Sequence, residues 1–585
     1  MKRVSCATKE LSFGPARLRR EGNELTIQLT YRGAYGMGEK YDSLNQKGRT
    51  VVNQVQEQFC FQGDRTYCPT PFFWTDSGFG LYVDTCETTV FTFEEDRIRV
   101  TLPEQAEVVL FAGTPEEMVR EYMGLFGPAA LPPEWVFGVW ASANRWNCQK
   151  DVEALLEKLE RYDFPASVVV LEAWSDEATF YIWNGAKYTP VPDGKALSER
   201  DFDFSGSPWP DPRGMIERLH KAGLRLLLWQ VPVYKKQGED ELPNRQNDLD
   251  RADAAERNLC VTLPDGSPYT IPEGNWFAGS MVPDFTNPAT VESWFAKRQY
   301  LLDMGVDGFK TDGGEFIHCA DARFHDGTTG REGMNRYCRD YTKCYRDFAG
   351  PERVIFSRAG FSGQHTVPCH WAGDQQSQNR ELASVLRAGL SAAASGILFW
   401  GFDLGGFAGP LPSLDLYRRA TQMACFCPIM QWHSEPDGGQ FRELMPGETG
   451  NNERSPWNMA ERYGAPEFLN EMRYWHKLRE KLRPYLWSTA RDCVRDSKPM
   501  LRPLAYVWPE DPAAVKCEDA YLLGDDLLVA PLLEENAVFR EVYLPEGVWY
   551  DFFTGVAYQG GRTVTAGGNG KLPVFTRNGW KWNNG

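Results

Sequence analysis

Apolar and polar residues alternate along the first stretch of the chain. Leu25-Thr26-Ile27-Gln28-Leu29-Thr30 makes every second residue apolar, and Val90-Phe91-Thr92-Phe93 and Ile98-Arg99-Val100-Thr101-Leu102 are further β-rich runs. A period of two marks a half-buried strand, and short strands set off by Gly and Asp clusters predict a β-sandwich over residues 1–130. No helical period of useful length occurs before residue 115.

The pattern changes at Leu131-Pro132-Pro133-Glu134-Trp135. From there helix-period segments alternate with short apolar runs. Asp151–Arg161 carries Val152, Leu155, Leu156 and Leu159 on one side, and Asp211–Ala222 opens with an Asp cap followed by Pro212 at its first position. Further helices are predicted at about Ala289–Met304, Gly333–Phe348, Arg380–Ala394 and Leu414–Ala424. The apolar runs between and around them are Val136–Trp140, Ala166–Glu172, Leu224–Trp229, Val306–Asp312, Arg353–Arg358, Cys369–Trp371, Ile397–Trp400 and Phe426–Trp432. Eight strands alternating with helices over about 350 residues imply a (β/α)8 TIM barrel across 131–484. A doubly wound sheet is the structural alternative, but no glycine-rich phosphate loop follows the first strand. Beyond residue 485 the pattern returns to β, with Ala520–Leu523, Leu527–Leu532 and Arg540–Pro545 strand-like, so 485–585 is expected to be a C-terminal β-domain. The fold class expected is therefore multidomain α/β, a central barrel flanked by two β-domains.

Composition narrows the function. The chain has 585 residues, 42% hydrophobic and 24% charged, which is ordinary for a protein that buries large cores. Its 20 Trp and 13% aromatic residues suit sugar stacking as well as packing. A net charge of −17 with no basic run argues against a nucleic-acid partner. No stretch approaches the ~20 apolar residues of a membrane span, and none at the start resembles a signal peptide. The 14 cysteines form no CxxC pair and no regular framework, so free thiols and a cytoplasmic location are expected, and a structural zinc site has little support.

In such barrels the site lies at the C-terminal strand ends. Those ends carry Trp140, Glu172, Trp229, Lys310, Asp312, Arg358, Trp371, Asp374, Asp403 and His433. Carboxylates, aromatics, a few cations and one His suit a neutral polyhydroxylated substrate and lack metal-site spacing. Lys310 and Asp312, two apart on a strand, point the same way, and a cation beside Asp312 would keep it ionised as a nucleophile. The alternative is a buried ion pair holding a strand end. Asp374 follows Trp371-Ala372-Gly373, where a glycine turn could bring a desolvated carboxyl to a ligand as a general acid. The alternative is an N-cap for the helix beginning near Gln378. Arg358 is either an orienting group or an ordinary ion pair, and His433 either a sugar ligand or a core histidine. Two carboxyls without a metal are the minimal machinery of glycoside hydrolysis.

Five segments, in order along nearly the whole chain, resemble glycoside hydrolase family 31. Gly308-Phe309-Lys310-Thr311-Asp312-Gly313-Gly314-Glu315 is similar to its nucleophile segment, most of all in the Lys-Thr-Asp branch that contains bacterial α-xylosidases. His370-Trp371-Ala372-Gly373-Asp374 resembles the acid/base segment and Ser357-Arg358-Ala359-Gly360 the strand with the substrate Arg. Phe399–Phe407 resembles the next strand end, and Tyr35-Gly36-Met37-Gly38-Glu39 through Asn45 the N-domain Gly-x-Gly-Glu loop. The resemblance implies retention of anomeric configuration, no cofactor, Asp312 as nucleophile and Asp374 as acid/base. It also implies that Lys310, Arg358, Trp371 and His433 line the −1 subsite. Glu172, Trp229 and Asp403 complete the expected substrate-binding set.

The sequence departs from the family in three places. Glu172 stands where many members have Asp, and Gly313 stands where Phe is common in this branch. Leu572–Arg577 looks like the end of a first C-terminal β-domain, with the distal domain absent, and Trp580–Gly585 carries no recognisable motif, as expected either of a compact molecule or of one whose last strands are missing. The activity expected is hydrolysis of a terminal α-glucoside. α-Xyloside or α-galactoside specificity and α-transglycosylation stand as alternatives, and a non-catalytic sugar-binding protein or a metal-dependent hydrolase as remote ones. The expected partner is a small oligosaccharide or glycoside, and a homo-oligomer is left open.

Overall fold

The computed structural model describes residues 1–7, 9–192, 194–435, 451–568 and 570–577, so Trp580–Gly585 lies outside the described residues. At the N-terminus two antiparallel sheets face each other. One has five strands, in the order Lys2–Val4, Glu107–Ala112, Phe79–Asp84, Pro69–Thr75, Ala34–Gly38. The other has six, running Glu10–Phe13, Ala16–Glu21, Glu24–Gln28, Arg97–Thr101, Thr89–Phe93, Thr50–Asn53. Burial alternates residue by residue along Ala16–Glu21, and Ile27, Phe73, Leu81, Phe91 and Ile98 fill the space between the sheets. The first long helix begins at Pro115, capped by Thr114 and Glu117 in a reciprocal box.

Eight parallel strands then form the barrel: β1 Val139–Ser142, β2 Val168–Leu171, β3 Arg225–Gln230, β4 Gly308–Thr311, β5 Val354–Ser357, β6 Cys369–Trp371, β7 Trp400–Gly401 and β8 Met430–Trp432. Strand β1 pairs with both β2 and β8. Strand β7 is only two residues long, and the ring closes through Ile429 N–H to Trp400 O (3.2 Å), Leu404 N–H to Gln431 O (3.0 Å) and a parallel bridge between Asp403 and Gln431. The expected helices are present at Gln149–Tyr162, Pro212–Lys221, Gly330–Ala349, Asn379–Ala394 and Leu414–Cys425, with Asp211 capping the second. Only a short 3-10 turn, Gln364–Thr366, separates β5 from β6.

The structure differs from expectation at two helices. The one expected at about Ala289–Met304 is broken into Pro288–Ala296 and Gln299–Asp303. Arg298 is the cause: its guanidinium takes the Trp294 carbonyl (3.0 Å), the acceptor its own N–H would use in an α-helix, and that N–H moves to Phe295. The second difference follows the barrel, where the 29-residue helix Phe468–Asp496 carries the chain past residue 484 and strands resume at Leu501. A six-stranded sheet and a two-stranded ribbon follow, packed around Leu522, Leu528, Val542, Trp549 and Phe575. Among the described residues no helix is long and apolar enough to cross a membrane.

Candidate active site

A cavity of about 280 Å3 opens at the C-terminal ends of the barrel strands, lined by Glu57, Phe59, Asn144, Glu172, Glu177, Trp229, Trp276, Asp312, Arg358, Asp374 and Phe407. Asp312 lies one residue beyond β4. Its Oδ1 accepts from Gly313 N–H (2.8 Å), its Oδ2 from the Trp229 indole N–H (2.9 Å), and Arg358 Nε lies 3.2 Å from Oδ1. Three donors, one of them charged, thus compensate an anionic carboxylate. Gly313 has φ +66, and a Cβ there would meet the Phe316 ring at 2.7 Å. This accounts for glycine at a position where Phe is common in the branch the segment resembles.

Arg358 is 2% exposed and binds three carboxyls at once. Its Nε and one terminal nitrogen donate to Glu315 (3.1 and 3.0 Å), and the other terminal nitrogen donates to Asp374 Oδ2 (3.3 Å). The rings of Tyr67 and Trp276 lie 4.7 and 5.4 Å from the guanidinium carbon. Burial opposes its charge, but Asp312, Glu315 and Asp374 more than offset this and hold its pKa well above the ordinary value.

Burial pushes the Asp374 carboxyl well above the usual range. Arg358 opposes the shift and the Asp312 charge adds to it. The residue is not a helix cap: that position belongs to Gln378, ahead of Asn379–Ala394. Gly373 just before it has φ +70, and a Cβ there would lie 2.3 Å from the Tyr67 ring, so the turn requires glycine.

A second cluster surrounds Glu172 beyond the end of β2. It receives Lys310 Nζ and the Asn144 amide (3.1 Å), and His433 Nε2 lies 2.9 Å away. Burial alone would raise the Glu172 pKa, yet His433 and Lys310 together hold it at about 2. This corrects one expectation. The cation on Asp312 is Arg358, because the longer Lys310 side chain reaches across to Glu172 with its ammonium 4.5 Å from the centre of the Trp371 ring.

Of the residues expected from sequence, Glu172, Trp229, Asp312, Arg358 and Asp374 line the cavity. Lys310, Trp371, His433 and Asp403 do not. They are buried, and Asp403 accepts from the Gln431 amide (2.7 Å) at the barrel closure. Trp140 is brought into the barrel core, donating to Val136 O (2.7 Å) beside Phe356. Sequence reasoning missed Glu57 and Phe59 on a loop of the N-terminal sheets, Asn144 after β1, and Glu177 and Trp276 in the long insertions after β2 and β3. Burial pushes Glu57 up to about 7, with Arg358 opposing. Glu315 and Phe407 lie inside the family-like segments, which by themselves assign them no role. Among the described residues no group of three or more His, Cys, Asp or Glu is arranged to hold a metal ion.

Comparison with known proteins identifies the family. The glycosyl hydrolases family 31 TIM-barrel domain profile matches residues 129–489, the family's N-terminal galactose mutarotase-like domain 12–91, and its C-terminal domain 497–580. The isomaltosyltransferase of Sporosarcina globispora is 36% identical over 93% of this chain, and the chain spans 50% of that protein's length. The 1,3-alpha-isomaltosidase of Kribbella flavida is 37% identical over 93% of this chain and 75% of its own. The cycloalternan-degrading enzyme from Trueperella pyogenes, solved with a covalent intermediate, superposes with a TM-score of 0.89 at 37% identity, over 97% of this chain and 79% of that one. The chain belongs to glycoside hydrolase family 31.

Proposed function

We propose that this protein is a retaining α-glycosidase that removes a terminal α-linked sugar, first of all an α-glucoside, from a small oligosaccharide or glycoside. One observation carries the proposal: a single buried guanidinium, Arg358, touches both Asp312 and Asp374 at the cavity. Their surroundings differ as two roles require. Asp312 sits among donors, as an anionic nucleophile needs, and burial lets Asp374 keep its proton, as a general acid needs. A shared guanidinium favours the closer spacing of retaining pairs, about 5–5.5 Å, over the ~6.5–9.5 Å of inverting ones.

In the first step an Asp312 oxygen attacks the anomeric carbon while Asp374 gives its proton to the glycosidic oxygen. The bond to the leaving group breaks as the glycosyl ester forms. In the second, Asp374 takes a proton from water, whose oxygen attacks the same carbon and releases Asp312. Glu172 binds hydroxyls of the departing sugar, and Trp229 stands beside it. Lys310 and His433 hold Glu172 in place, the Trp371 ring packs against the Lys310 ammonium, and Asp403 braces the barrel closure. The fourteen free cysteines support a cytoplasmic location.

The relatives favour a second reading, in which the departing unit is isomaltose and a sugar hydroxyl replaces water in the second step. A panel of p-nitrophenyl α-glucoside, α-xyloside, α-galactoside and α-isomaltoside separates the readings, with transfer products sought at high substrate. Asp312→Ala should keep less than about 1% of wild-type turnover, because losing a nucleophile costs several orders of magnitude. A well-folded variant above that level contradicts the assignment.

A further inference from the structure

The loop that presents Asp374 is held from outside the barrel. The barrel holds Ala372 N–H, which donates to Gly401 O of β7 (3.1 Å), while the carbonyls of the turn Ala372-Gly373-Asp374 take donors from the N-terminal loop. Ala372 O accepts from the Tyr41 hydroxyl (2.7 Å) and the Gln375 amide (2.5 Å). Asp374 O accepts from two donors of the N-terminal loop, Cys60 N–H (3.2 Å) and the Gln62 side-chain amide (2.7 Å). The same amide nitrogen lies 3.2 Å from Gln58 O and 3.3 Å from the Tyr67 hydroxyl, and Tyr67 in turn donates to Gln58 O (2.5 Å). The Tyr67 ring packs on Gly373 and lies against the Arg358 guanidinium.

Gln62 is 2% exposed, and its Oε1 has no hydrogen-bond partner among the described residues. A buried acceptor left unpaired needs an explanation. Turning the amide over would set oxygen against the carbonyls of Asp374 and Gln58. The orientation is fixed by the donor, and the orphan acceptor is its consequence.

We propose that Gln62 is a positioning residue for the acid/base carboxyl: its buried amide, with Cys60 N–H, clamps the Asp374 main chain so that the carboxyl meets the glycosidic oxygen. The N-terminal β-domain thereby sets the geometry of proton transfer. The inference rests on Asp374 being the acid/base. Gln62 touches no substrate and acts only through Asp374. General acid catalysis matters most when the leaving group is poor, so a displaced acid reveals itself as a dependence on leaving-group pKa.

The test measures kcat/KM for aryl α-glucosides, from phenyl to 2,4-dinitrophenyl, with wild type, Gln62→Met, Gln62→Glu and Asp374→Ala. Gln62→Met keeps length and removes the donor. It should lose about 10- to 100-fold on phenyl glucoside, part of the ~10²–10⁴ that a general acid supplies, and less than about threefold on the dinitrophenyl compound. Gln62→Glu should behave likewise, and its loss should grow as pH rises and the new carboxylate faces the Asp374 carbonyl. It also keeps the test informative if the Met variant does not fold. Equal losses across the series, or none, in folded Gln62 variants would overturn the inference if Asp374→Ala shows the steep dependence. A flat series for Asp374→Ala itself would instead overturn the acid/base assignment.

Discussion

Replacing Lys310 with Met leaves a buried carboxylate facing one cation fewer. Glu172 and Lys310 have side chains 8% and 3% exposed, so little water reaches the pair to compensate for the lost ammonium. The fall of the Glu172 pKa from an ordinary 4.5 to about 2 corresponds to about 3 kcal/mol. The sign follows from the depressed folded value. This stability is fully present above the unfolded pKa and is lost as pH falls through the folded one, between about 4.5 and 2. That stabilisation is shared between His433 and Lys310, so Lys310→Met forfeits part of it and leaves a buried carboxylate with less compensation. In Lys310→Met burial regains the upper hand and the Glu172 pKa climbs. The melting-temperature deficit against wild type should therefore be largest near pH 8 and narrow toward pH 5, as Glu172 takes up a proton. Adding Glu172→Gln removes the orphan charge, and the double variant should recover about 1–3 kcal/mol relative to the sum of the singles. Thermal melts of the four proteins at both pH values provide the assay. Additive losses, or a deficit independent of pH, would refute the reasoning.

Glu39 and Glu57 give two further expectations. Glu39 is buried against Trp400 (2.7 Å) and Tyr41 (2.9 Å), and burial lifts its pKa to about 8. One Tyr41 proton cannot serve both Glu39 and Ala372 O, and a protonated Glu39 that donates to Tyr41 satisfies the chain. A raised folded pKa makes this contribution largest below about pH 4.5, and it erodes toward pH 8 by up to about 1.4 kcal/mol per pH unit. Glu39→Gln should therefore gain stability relative to wild type between pH 5 and 8, and a constant difference in melting temperature would contradict this. Glu57 lines the cavity with a pKa of about 7, so wild-type kcat/KM should carry an ionisation near pH 7 that Glu57→Gln abolishes. Superimposable pH profiles would rule it out.

The barrel was legible because strand and helix periods alternate in order, and the strand ends named five cavity residues directly. What escaped depended on contacts distant in sequence. Period two puts Lys310 and Asp312 on one side, but the choice between Asp312 and Glu172 as partner is made across the barrel. Glu57, Phe59 and Gln62 lie some 250–320 positions from the residues they serve, with no local pattern to mark them. The break before Gln299 comes from one side chain competing for a backbone carbonyl, which helical periodicity does not record. The run Ile397–Trp400 marked β7, but only Trp400–Gly401 pair as a strand, and the closing bonds from Leu404 and Asp403 to Gln431 lie beyond that run.

The central claim, that Asp312 forms a glycosyl ester while Asp374 manages the proton, is tested most directly by trapping. Wild type is incubated with 5-fluoro-α-glucosyl fluoride, whose second fluorine slows both steps while its anomeric fluoride still leaves, and the digested protein is mapped by mass spectrometry. The account predicts a fluoroglucosyl adduct on the peptide containing Gly308–Glu315, located on Asp312 and absent from Asp312→Ala. An adduct on another carboxylate, or turnover that releases the inverted anomer with no adduct, would contradict it.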